Sequence, residues 1–142
     1  RLLFANAPGY VGHELMVPEV GDFCALPGRA NGQALVRSAG GIELLSNICR
    51  HRQAVMMKGR GNAPNIVCPL HRWTYDLSGR LLGAPHFATQ PCESLARTPM
   101  KPWNGLLFDG PRDPVPLIAR ERKDSSRSGE RRSCSCEILG CA

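Results

Sequence analysis

Two short segments, Cys49-Arg50-His51 and Cys68-Pro69-Leu70-His71, each set one cysteine beside one histidine, and sixteen residues lie between the first histidine and the second cysteine. The chain holds four histidines, and half of them sit in these segments. A fold that brings the segments together gathers two thiolates and two imidazoles at one end, a demand that constrains this chain more than any other feature. The set suits a two-iron, two-sulfide cluster in which two histidines replace two cysteines on one iron. Imidazoles donate less negative charge than thiolates, so such centres are easier to reduce than all-cysteine ones, at about −150 to +300 mV. Zinc is the rival, because two cysteines and two histidines also hold that ion tetrahedrally. Zinc sites usually pair cysteine with cysteine and histidine with histidine, with at least two residues between partners, whereas Arg50 alone separates Cys49 from His51.

The flanks read as short strands broken by turns, with no convincing long helix. Residues 10–12, 22–26, 33–37 and 41–45 carry strand patterning, and Gly28, Asn31-Gly32 and Gly40-Gly41 carry turn chemistry. Residues 54–58 read as a further strand and 59–65 as a loop leading into 65–68. Residues 73–77 leave the second segment, and Ser78-Gly79 turns into 80–82. The expected class is all-β: a small antiparallel β-sandwich holding two cluster-binding loops as facing fingers at one end. Pro69 fixes φ just after a ligand. Backbone N–H groups near 51–53 and 70–73 are expected to point at cluster sulfur. Trp103 is expected to anchor the last strand pair, with 106–108 running into the core.

Seven cysteines, an odd number with two already committed, argue against a secreted disulfide framework. Cys24 lies in an apolar stretch and reads as core; Cys92, His13 and His86 read as loop, surface or packing residues. No apolar run approaches the roughly 18 to 20 residues that cross a membrane, and no signal segment opens the chain, so a cytoplasmic protein with no membrane partner is expected. A length of 142 residues with 42% apolar content suits one compact domain. Residues 117–142 turn to Arg, Glu, Ser and Lys and are expected to form a basic, disordered tail. Within it Cys134-Ser135-Cys136 and Cys141 lack a fourth ligand, and six cations against four anions are too few to imply a nucleic-acid partner.

These residues resemble the Rieske domain at the N-terminal end of the alpha (large) subunit of aromatic ring-hydroxylating oxygenases. The resemblance covers roughly residues 1–112. It rests on the approach from Phe4 to Gly12, on Val17-Pro18-Glu19-Val20-Gly21-Asp22-Phe23, on Asn47-Ile48-Cys49-Arg50-His51-Arg52, and on the run from Cys68 to Asp76 with Gly79 beyond. Gln53 and Arg72 stand where that family often has glycine, and Leu70 where it often has an aromatic residue. The resemblance implies one Rieske-type [2Fe-2S] cluster, with Cys49 and Cys68 on the inner iron and His51 and His71 on the outer iron near solvent. It divides the chain into a Rieske domain, 1–116, and the tail, 117–142.

The implied function is electron transfer within an oxygenase alpha subunit. The expected donor is a ferredoxin or flavin reductase. The expected acceptor is an oxygenase catalytic domain or neighbouring subunit, reached through a carboxylate contacting His71. No mononuclear-iron triad can be assembled here, so the expectation is a truncated or frame-shifted subunit that does not hydroxylate on its own. A free-standing Rieske ferredoxin is the alternative, and a zinc-stabilised binding module a third reading. Arg50, Arg52 and Arg72 read either as a solvated basic surface or as a docking patch for an acidic donor. The second loop lacks the hydroxyl that respiratory Rieske proteins carry, Trp73 standing there instead, so a potential near the bottom of the range is expected.

Overall fold

The structure is a computed structural model that describes residues 7–26, 28–29, 32–112 and 114. The strands are β1 (Gly9–His13), β2 (Asp22–Leu26), β3 (Gln33–Ser38), β4 (Gly41–Ser46), β5 (Arg60–Asn62), β6 (Ile66–Val67), β7 (Thr74–Tyr75), β8 (Leu81–Gly83), β9 (Arg97–Thr98), β10 (Met100–Trp103) and β11 (Leu106–Asp109). A single-turn 3-10 helix, Glu14–Met16, follows β1. The central sheet runs β5-β2-β3-β4-β9, and two smaller sheets run β1-β11-β10 and β6-β7-β8. Among the described residues every strand pairing is antiparallel, as the antiparallel all-β reading expects.

Side chains on a strand alternate between faces, and β3 shows what that does here. Ala34 and Val36 enter one core with Leu45, Ile66, Tyr75 and Leu81, while Leu35 enters another with Val11, Leu44 and Leu107. The central sheet is thus covered on both faces, by β6-β7-β8 on one and β1-β11-β10 on the other. A strand buried from both sides needs an unbroken apolar stretch rather than alternation, and Ala34-Leu35-Val36 supplies one. A polar bridge joins the layers: Arg29 pairs with Asp109 of β11 and donates to Gln33 Oε1 at 2.8 Å, and Gln33 donates to Thr98 Oγ1 at 2.9 Å.

Two expectations are corrected. Residues 54–58 do not form a strand; Val55 makes an isolated bridge to Ile48, and the buried Asn47 side chain holds the rest. Its Nδ2 donates to the Met57 carbonyl and its Oδ1 accepts the Met57 N–H, both at 2.7 Å, replacing a ladder with one amide. The expected loop 59–65 instead contains β5, which pairs with β2 through Phe23 and Gly61. Gly61 lies under the Phe23 ring, where an added Cβ would stand 2.8 Å from a ring carbon, so the residue that weakens the strand signal is the one the packing requires.

Other expected strands differ from the observed ones mainly at their ends. Residues 73–77 contract to Thr74–Tyr75, and of 106–108 only Leu107 is fully buried, with Trp103 half-buried on the partner strand. Asn104 and Gly105, both at positive φ, close the β10–β11 hairpin. Asn31 and the tail 117–142, with its expected disorder and its cysteines, lie outside the described residues. Among the described residues no helix is long and apolar enough to cross a membrane.

Candidate metal centre

The first Cys/His loop leaves β4 of the central sheet, and the second joins β6 to β7. Their backbones form the same hairpin. Cys49 N–H donates to Ala54 O at 2.9 Å and Gln53 N–H to Cys49 O at 3.0 Å; Cys68 N–H donates to Trp73 O at 2.8 Å and Arg72 N–H to Cys68 O at 3.0 Å. The penultimate residue of each turns left-handed, Gln53 at φ 54° and Arg72 at φ 60°. That region suits glycine, the residue that the resembled family often carries at both positions. The two loops differ in where histidine falls, two residues after the cysteine in the first and three after it in the second.

This arrangement brings the four candidate ligands to one end. Cys49 and Cys68 are each 1% exposed and share one apolar core. His51 and His71 are half-buried beyond them, ring centroids 4.6 Å apart and inclined at 72°. The Trp73 indole stacks on His51 at 5.0 Å and 6°, and Phe87 meets the His51 ring edge-on at 5.7 Å. Desolvation, then the nearby His71 and Arg52, disfavour the charged form of His51, leaving the neutral imidazole that metals bind. His51 Nδ1 is buried and has no hydrogen-bond partner.

A buried ring nitrogen without a partner is costly unless something else occupies it, and an iron ligand bond does so. Among the described residues no three His, Cys, Asp or Glu side chains converge as a single-ion site would need. Two donor pairs suit a two-iron cluster, whose bridging sulfides lie between the metals. On donor chemistry and on the orphaned nitrogen, the residues fit a [2Fe-2S] group.

The geometry adds a residue that sequence reasoning passed over. Tyr75 is fully buried, its hydroxyl 3.5 Å from Cys49 Sγ and accepting the Arg50 N–H at 3.2 Å. Burial raises the phenol pKa well above its ordinary value and the bond to Cys49 adds to this, while the Arg50 N–H opposes it; the hydroxyl therefore keeps its proton to donate. The available signal was the two-residue spacing of Trp73 and Tyr75, which sends both side chains into the core that holds Cys49 and Cys68. Of the backbone donors expected to face sulfur, those of Gln53 and Arg72 instead close the hairpins.

Arg52 and Arg72 are exposed at this end, while Arg50 pairs with Glu93 at 3.0 Å. Glu93 belongs to a strap, residues 84–96, that lays Phe87 against the ligand loops. Buried Leu95 anchors it, donating its N–H to Gly79 O at 2.7 Å, as does Gln90, donating to Leu81 O at 2.9 Å. Cys24 is a buried core residue and Cys92 an exposed loop residue, as expected.

A family profile for the Rieske [2Fe-2S] domain matches residues 12–98. The chain is 65% identical over 118 residues to putrescine 2-hydroxylase of Ralstonia nicotianae, covering 83% of this chain and 32% of the relative. It is 49% identical over 143 residues to putrescine 2-hydroxylase of Bordetella bronchiseptica, covering 87% and 33%. It thus spans about a third of the length of these relatives. Among solved structures, naphthalene 1,2-dioxygenase from Rhodococcus sp. bound to indole superposes with a TM-score of 0.67 at 28% identity, over 76% of this chain and 27% of that one.

Proposed function

The chain belongs to the Rieske [2Fe-2S] domain family, and from that premise we propose that residues 1–116 are the electron-transfer domain of an oxygenase alpha subunit, with Cys49, His51, Cys68 and His71 as the cluster ligands. The observation that carries the ligand assignment is the buried, unpartnered His51 Nδ1 beside His71 and above two buried thiols. A bound cluster supplies one-electron chemistry, and the chain's own residues set its terms. Tyr75 donates to the Cys49 thiolate, the amides of His51, Arg52, Leu70 and His71 remain for sulfur, and Trp73 with Phe87 keeps water from one face of His51. His71, without that stacked cover, is the side on which an acceptor carboxylate docks.

Arg52 and Arg72 attract an acidic donor, a ferredoxin or flavin reductase, and the acceptor is an oxygenase catalytic domain or neighbouring subunit, all in the cytoplasm. The 65% identity to a putrescine hydroxylase favours an aliphatic diamine over an aromatic ring as the substrate of the enzyme this domain serves. Anaerobic purification followed by absorption and EPR after reduction tests the centre: a coloured protein with a mixed-ligand [2Fe-2S] signal is expected, and a colourless, zinc-containing product overturns the reading. Substituting this domain for the matching part of the Ralstonia relative tests the role, with putrescine hydroxylation retained. A chimera that holds its cluster and accepts electrons yet does not pass them on favours the free-standing ferredoxin.

A further inference from the structure

Two buried polar atoms at the ligand loops have no partner: His51 Nδ1 and Trp73 Nε1. The first is accounted for by iron. The second is an indole N–H, a donor with no acceptor capacity, on a side chain only 3% exposed. A buried donor left unpaired bears its full desolvation penalty, so native interiors seldom leave one. The indole lies among the proposed ligands, stacked on His51 and sharing a core with Cys49 and Cys68. Neither cysteine sulfur accepts its proton; the partner of Cys49 Sγ is the Tyr75 hydroxyl. Among the described residues nothing accepts this proton, whereas the cluster brings inorganic sulfides, anionic acceptors.

We infer that the Trp73 indole N–H donates a hydrogen bond to a cluster sulfide and so raises the reduction potential, beside Tyr75 on the Cys49 side. The inference rests on the ligand assignment above. A hydrogen bond to sulfur stabilises the reduced, more negative cluster more than the oxidised one, so the donor favours electron uptake. Phe87 is the competing partner, since its ring meets the indole edge-on at 5.3 Å and 81°. A contact to that ring would leave the proton remote from the electron spin.

The protein contains two tryptophans, Trp73 and Trp103, so indole-15N labelling gives a readable spectrum. In the reduced wild-type protein, pulsed EPR should show an exchangeable proton and an indole nitrogen coupled to the cluster spin. Both should vanish in Trp73→Phe and persist in Phe87→Leu and Trp103→Phe. The midpoint of Trp73→Phe should fall by the equivalent of about a tenfold change in the reduction equilibrium, ~59 mV for one electron. A coloured wild-type protein with a mixed-ligand signal but no indole coupling overturns this inference and leaves the ligand assignment standing; a colourless wild-type protein overturns both. Because the labelled wild type decides by itself, failure of Trp73→Phe to assemble leaves the outcome readable.

Discussion

At Tyr75 a single hydroxyl meets both the Cys49 sulfur and the amide of Arg50, so its removal acts twice. A hydrogen bond worth about 1 kcal/mol more in the reduced state corresponds to roughly 40 mV for one electron. Tyr75→Phe should therefore lower the midpoint by that order, and a redox titration returning the wild-type value removes Tyr75 from the tuning of the centre. The left-handed residues make an opposite test. A side chain in that region costs about 1 kcal/mol, part of which glycine returns as chain entropy. Gln53→Gly should raise thermal stability by roughly 0.5 kcal/mol and Gln53→Val should lower it, both read as melting shifts.

Among the elements, the Asp76 turn holds the strand that leaves the second loop. Burial raises its carboxyl, but bonds from Ser78 and Arg80 outweigh this and hold it below the ordinary carboxylate range. A depressed carboxyl stabilises the fold above its unfolded pKa of about 3.9, and that stability is lost as pH falls through the lower, folded value. Urea melts should show Asp76→Asn less stable than wild type by a constant margin from neutral pH to about 4, shrinking below. Between layers, Arg29→Ala leaves the buried Gln33 side chain and Asp109 without their shared donor and should cost about 1–3 kcal/mol by the same measurement. These elements were unevenly legible. The two Cys/His segments and the strands β2, β3 and β4 could be read because thiols, imidazoles and apolar runs are explicit in the chain. β5 was hidden because its packing demands Gly61, and the ordering of 54–58 because one Asn47 amide replaces a strand ladder. Tyr75 was missed because its role depends on which loop its strand faces, and that is a property of the fold.

For the whole molecule, the charge at the ligand end predicts kinetics. If Arg52 and Arg72 steer an acidic donor, replacing both with alanine should slow reduction several-fold at low ionic strength and flatten its salt dependence, leaving the cluster spectrum unchanged. Stopped-flow mixing with the cognate reductase checks this; equal rates at all salt concentrations assign the arginines to solvent. The placement of the loops carries a different consequence. One rises from the central sheet and the other from β6-β7-β8, so a cluster held by the proposed ligands would fasten two layers that otherwise meet through side-chain packing and the Tyr75 hydroxyl, which takes the Arg50 N–H. With Cys49 and Cys68 as its proposed ligands, the cluster would act as a staple closing that stretch, worth about 3 kcal/mol by analogy with a disulfide across a loop of similar size. Iron supply then becomes a folding variable: a domain without its cluster should melt at a lower temperature than the loaded one, as differential scanning calorimetry would show.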